Sequence, residues 1–131
     1  MANLSRPTDV MKTFKLIRSW LFALILIVAG INHFLNPKVY AAFIPDWLPL
    51  FAVNYFTGIV EAGLGIGLLL PATKRLAAVG TMLLMIFFLP FHVVDALRIH
   101  PAIGSKPVAD IRLILQFVLI YWAWFLVPKA K

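Results

Sequence analysis

The chain contains no cysteine. That absence excludes disulfides, thiolate nucleophiles, thiolate-ligated metal sites and thiol-disulfide exchange, and it leaves the redox compartment open. Acidic residues are scarce as well: five Asp and Glu stand against twelve Lys and Arg, a formal net charge of +7. Such a balance could suit nucleic acid, but the basic residues sit between or beside hydrophobic runs. Orientation in a bilayer and contact with anionic lipid explain them better, so no nucleic-acid partner is expected. The sequence also lacks a strong internal repeat, a low-complexity linker and a dinucleotide fingerprint. The glycine-rich run GLGIGLLLP, Gly63 to Pro71, is embedded in a hydrophobic span rather than in a strand-turn-helix unit. With 131 residues there is no room for a membrane domain plus a second folded domain, so residues 1–131 are expected to form one.

What the chain does have is apolar surface. Hydrophobic residues make up 63% of it and the mean hydropathy is +0.95, against roughly 45–50% apolar content in a soluble domain. Four spans are expected, at about Leu16–Leu35, Phe51–Leu70, Leu76–Leu97 and Val108–Val127, each close to the ~20 residues needed to cross a bilayer. Isolated strands cannot satisfy their backbone in lipid, so the fold is all-α, a polytopic four-helix bundle. The first span is too long for a signal-peptide core and is followed by no A-x-A cleavage site, which predicts that it is retained. Arg6, Lys12, Lys15, Arg18, Lys74, Arg75, Lys129 and Lys131 would lie on one side, with Lys38, Arg98, Lys106 and Arg112 on the other. By the positive-inside rule both termini are expected in the cytoplasm. Trp20, Trp122 and Trp124 then fall near the cytoplasmic boundary, with Tyr40, Trp47 and Tyr55 near the outer one.

The first outer connection, Asn36 to Leu50, is not a plain loop. Asn36 can cap a helix that has Pro37 in its first position, and Tyr40, Phe43, Ile44, Trp47 and Leu48 recur at helical spacing. Pro45 and Pro49 interrupt the pattern, which predicts a short interfacial helical segment followed by a kinked stretch. Both an interfacial anchor and a lid fit this composition. The second outer connection, Arg98 to Pro107, carries His100, Pro101, Gly104 and Pro107 and is expected to be irregular.

The outer halves of the spans carry His33, Glu61, His92, Asp95, Arg112 and Gln116, with Asn36 just beyond the first. A charge within a span costs roughly 2.5–3.5 kcal/mol on insertion scales, so such residues normally face one another inside the bundle. Helical spacing puts Arg112 with Gln116, His92 with Asp95, and His33 with Asn36 on shared faces. The expectation is one outward-facing polar cavity in which Arg112 pairs with Glu61, beside a third helix kinked at Pro90. Gly58, Ala62 and Gly65 would let a neighbouring helix approach Glu61 closely, and Gly63 with Gly67 forms a GxxxG pair suited to bundle packing or a homo-oligomer. Blander roles exist for each polar residue. Arg112, Asp95 and Asp110 suit a purely structural ion-pair network, and His33 an interhelical hydrogen bond. A pair of axial haem ligands, His33 and His92, is the alternative with least support, since no spacing signature accompanies it and no metal site is expected.

Three runs, GINHFLNPKVYAAFIPDWLP, YFTGIVEAGLGIGLLLPATKRLAAVG and IRLILQFVLIYWAW, together resemble the DoxX family of small four-helix bacterial membrane proteins. The resemblance spans Ala29 to Trp124, and its most specific elements are His33-Phe34 before Pro37, Gly58 with Glu61, Gly65 through Pro71, and Arg112 with Gln116. In the third span FLPFHVVDAL stands where many members have an FPAN-type segment, which places His92 and Asp95 outside the shared pattern.

That resemblance implies a bacterial inner-membrane location and association with redox or stress-related membrane complexes. The expected role is a non-catalytic subunit, or a binding protein for a small amphiphile such as a quinone, with His33, Asn36, Glu61, His92, Asp95, Arg112 and Gln116 as pocket candidates. Phe87, Phe88 and Phe91 would flank the quinone, the only cofactor suggested. Two other roles remain open: a proton-coupled small-solute carrier in which Glu61 alternates between protonated and Arg112-paired states, and a structural or chaperone-like membrane partner.

Overall fold

A computed structural model describes residues 6–129. Among them the regular elements are all helices: α1 (Pro7–Leu35), α2 (Pro37–Ala41), α3 (Leu50–Leu69), α4 (Lys74–Leu97) and α5 (Lys106–Leu126). All but α2 are long and apolar enough to cross a membrane, which makes this a multi-pass membrane protein with a four-helix bundle. Three of the expected spans agree with α3, α4 and α5 to within two residues at each end. The first begins earlier, at Pro7 rather than Leu16. Pro7 is preorganised for a first helical turn and Asp9 sits there against the positive end of the helix dipole. At 1.5 Å per residue α1 is about 44 Å long, so its basic first turns extend past a hydrocarbon layer of about 30 Å. Of the basic residues used to orient the chain, Lys131 lies outside the described residues.

The helices assemble as two close pairs, α1 with α3 and α4 with α5, joined along α3 and α4. The α1–α3 pair is antiparallel, and glycine sets its spacing. A Cβ on Gly30 would lie 2.6 Å from the Gly58 carbonyl oxygen, and one on Gly65 would lie 2.8 Å from that of Ala23. Buried positions follow a seven-residue rhythm on both helices: Ser19, Phe22, Ala23, Leu26, Gly30 and His33 on α1, and Asn54, Gly58, Glu61, Gly65 and Leu68 on α3. The expected Gly63–Gly67 pair does not act as one face. Gly67 packs against Ala77 of α4, whereas a Cβ on Gly63 would meet nothing within 4 Å.

Burial is segregated along the bundle. The apolar core, with Phe22, Ala23, Leu26, Leu68, Ala77, Ala78, Met85, Ala123 and Leu126, occupies the half nearer the termini. Phe22 and Trp122 meet there edge to face at 5.0 Å. The other half holds His33, Asn54, Glu61 and Asp95, with Gln116 near the middle, while the small hydroxyls of Ser19 and Thr81 are buried within the apolar half. Most large apolar side chains elsewhere face outward, as a lipid-immersed bundle requires.

Asn36 occupies the N-cap position of α2 with Pro37 following, but its side chain makes no cap bond and instead donates to Asn32 Oδ1 at 2.7 Å. The helix stops at Ala41, short of the prolines, and turns closed at Phe43, Ile44 and Leu48 carry the chain to α3. Pro90 lies inside a continuous α4.

Candidate functional site

The polar residues of the half farther from the termini do not share one cavity. They divide into two sets, one on each helix pair, and the α2 segment touches both.

The first set is built on α1 and α3. Asn54 Nδ2 donates to the His33 carbonyl oxygen at 2.6 Å, while Asn54 Oδ1 lies 2.7 Å from His33 Nδ1. One amide thereby grips both backbone and ring of the same histidine. The other ring nitrogen, Nε2, lies 3.4 Å from Glu61 Oε2, with both side chains less than a tenth exposed. Glu61 Oε2 is buried and makes no hydrogen bond beyond this approach. Tyr40 of α2 stacks on the His33 imidazole at 3.7 Å between centroids, and its hydroxyl accepts a 2.7 Å bond from Asn32 Nδ2. Burial pushes the Tyr40 phenol above its ordinary pKa, the Asn32 bond works against that rise and the negative charge of Glu61 adds to it.

The second set joins α4 to α5. Asp95, 1% exposed, accepts from Arg112 Nη2 at 2.5 Å on Oδ2 and from the Ala102 backbone N–H at 2.6 Å on Oδ1. Its carboxylate therefore fastens α5 and the α4–α5 connection to the end of α4. Arg98 Nη1 stands 3.9 Å away and its side chain is about half exposed. One turn and more deeper, Gln116 Nε2 donates to the Met85 carbonyl oxygen at 2.6 Å. Pro90 has no N–H for the adjacent Ile86 carbonyl, so this backbone stretch is already loosened. Arg112 and Gln116 thus share a face, as their spacing requires, and that face docks on α4. His92 meets Phe43 edge to face at 6.0 Å, and its Nδ1 is buried without a hydrogen-bond partner. Phe43 also lies under the Arg112 guanidinium, 5.8 Å from its centroid.

The pairing of the charged residues differs from the expectation. Arg112 pairs with Asp95 and Glu61 with His33, so the Glu61–Arg112 ion pair does not form. Adjacency explains why: α5 packs along α4 and, among the described residues, not along α3, so the carboxylate within reach of Arg112 is that of Asp95. Asp110 is likewise absent from the network, because Lys106 takes it in an exposed i, i+4 pair at 2.5 Å. Asn36, a pocket candidate, is exposed and only braces Asn32.

Asn54, Asn32, Tyr40 and Phe43 are the participants that sequence reasoning missed. Asn54 carried a usable signal, since it precedes Glu61 by seven residues with Gly58 between them, which places all three on one stripe of α3.

A shallow cleft of about 290 Å³ opens between the turn after α2 and the C-terminal part of α4. Phe43, Pro45, Pro90, Phe91 and Val94 form its apolar walls, with Asp95 and Arg98 at its polar end. Comparison with curated proteins and with solved structures returns no match. A family model does match, over residues 22–127, which includes both polar sets and the cleft between them: the chain belongs to the family described as Domain of unknown function (DUF8561).

Proposed function

We propose that this protein binds a small amphipathic molecule, a quinone or one of similar build, in the cleft between the α2–α3 turn and α4, as a non-catalytic subunit or binding protein of a redox or stress-related membrane complex. The observation that carries this reading is the cleft's division of labour. Aromatic and aliphatic walls suit a ring and the start of a tail, and the exposed half of the Arg98 guanidinium offers donors to a ligand carbonyl oxygen. Asp95 has its oxygens engaged by Arg112 and Ala102, so its part is to hold Arg98 near the cleft mouth. The resemblance to DoxX proteins supports the redox context. The basic-residue split supports an inner-membrane orientation with both termini cytoplasmic and the cleft on the outer side. A carrier cycle that moves Glu61 onto Arg112 finds no support in this geometry, because Asp95 holds the arginine.

The test is binding of a short-chain benzoquinone to the protein in lipid nanodiscs, together with mass spectrometry of small molecules retained after gentle extraction. Val94→Trp, which fills the cleft from a lipid-exposed position, is expected to weaken binding at least tenfold, about 1.4 kcal/mol. Unchanged binding in that variant, or no quinone bound by either protein, rejects the proposal and leaves a structural partner as the better reading.

A further inference from the structure

The His33–Glu61 pair plays no part in the cleft, and its hydrogen-bond geometry restricts its chemistry. The His33 carbonyl oxygen can only accept, so the Asn54 atom 2.6 Å from it must be the amide nitrogen. That fixes Asn54 Oδ1, an acceptor, against His33 Nδ1, which must therefore carry a hydrogen. All remaining freedom lies at Nε2, which faces Glu61 Oε2. If neither atom held a proton, an imidazole lone pair would face a carboxylate in a buried site, leaving an uncompensated charge. If both held one, the pair would be a buried cation. The state with one proton between them carries no net charge.

We infer that His33 and Glu61 form a one-proton site, with the shared proton as its ligand, Asn54 as the clamp that fixes the histidine tautomer and Tyr40 as the cover. Transfer within the pair breaks the Nε2–H bond and forms an Oε2–H bond, converting imidazolium and carboxylate into imidazole and carboxylic acid without changing net charge. Exchange with water requires the Tyr40 ring, stacked 3.7 Å above the imidazole, to move. The surroundings favour a proton over a metal ion. Among the described residues no third His, Asp or Glu joins the pair, and Asn54 is already spent at both ends. The other titratable group facing the pair is Tyr40, from α2. Arg98 and Arg112, from α4 and α5, both pair with Asp95, and no Lys or Arg nitrogen comes within 4.0 Å of Glu61 among the described residues.

Nitrogen NMR of the protein labelled at histidine, held in nanodiscs and titrated between about pH 5 and 8, tests this. His33 is assigned by its loss in His33→Gln. The expected result is an Nδ1 that stays protonated throughout and an Nε2 signal intermediate between bare and protonated nitrogen. Glu61→Gln should turn that signal into one of ordinary unprotonated nitrogen. Tyr40→Ala should speed solvent exchange of the shared proton about tenfold or more, whereas Tyr40→Phe, which keeps the ring, should change it less. A His33 with bare Nδ1 and protonated Nε2 overturns the proposal, as does an Nε2 signal indifferent to Glu61→Gln. Should a variant fail to fold, the tautomer in the unsubstituted protein decides the question alone.

Discussion

Removing the Arg112 guanidinium would expose how much of the α4–α5 pair depends on one ion pair. In Arg112→Gln the Asp95 carboxylate, with its side chain 2% exposed, keeps the Ala102 N–H but loses its close cation. Breaking a buried pair from one side costs about 3–5 kcal/mol. Arg112 is 22% exposed and Arg98 can swing in from 3.9 Å, so the lower end, about 3 kcal/mol, applies. For a chain of this size that corresponds to a fall of about 10 °C in melting temperature. Asp95→Asn, which keeps an acceptor for Ala102, should cost about 1–2 kcal/mol. The double variant should recover about 1–2 kcal/mol relative to the sum. Thermal unfolding in a mild detergent, followed by circular dichroism for all four proteins, measures the cycle. The control is Glu61→Gln combined with Arg112→Gln, whose effects should add to within about 0.5 kcal/mol. Additivity between Asp95 and Arg112, or strong coupling between Glu61 and Arg112, would refute the pairing described above.

Other expectations follow from the packing and the termini. Gly30→Ala should destabilise by about 1–3 kcal/mol, since its Cβ would lie 2.6 Å from the Gly58 carbonyl, while Gly63→Ala should stay within about 1 kcal/mol of the parent in the same melts. Gln116→Leu should cost about 1 kcal/mol through loss of the bond to the Met85 carbonyl; a shift below experimental error would mean that bond contributes nothing. Reporter fusions should place both termini in the cytoplasm, and an external C-terminus would reverse the assigned orientation. The purified protein should lack a Soret band, because both nitrogens of His33 are engaged, by Asn54 and Glu61; a band lost in His33→Ala would show otherwise.

The spans were legible because a bilayer imposes length and composition on them directly, and Asn36, Pro49, Pro71 and Pro107 punctuate the sequence at or near their ends. The start of α1 was less so. Its first turns, Pro7 to Lys15, are helical without being apolar, and hydropathy is blind to them. Polar residues could be assigned from their positions to the half of the bundle away from the termini, but not to their partners. Pairing depends on rotation and depth between helices, quantities that a single sequence does not encode: the same Arg112 could reach toward Glu61 or Asp95, and only adjacency of α4 and α5 decides it. Tyr40 looked like an interfacial aromatic for a similar reason, since stacking on His33 requires α2 to fold back over α1.

Tyr40 and Phe43 are three residues apart on one short segment, yet the first rests on His33 and the second walls the cleft and touches His92 and Arg112. In the proposed binding role, that spacing would make the segment a thermodynamic link between occupancy of the cleft and protonation of the buried pair. A ligand that displaces Phe43 pulls on the cover of His33, and linkage then demands the reciprocal effect: whatever the ligand does to proton affinity, the proton must do by the same factor to ligand affinity. Ligand dissociation constants measured across the titration of the pair read that factor directly, and a constant value would mean that the segment bends between Tyr40 and Phe43 rather than moving as one piece.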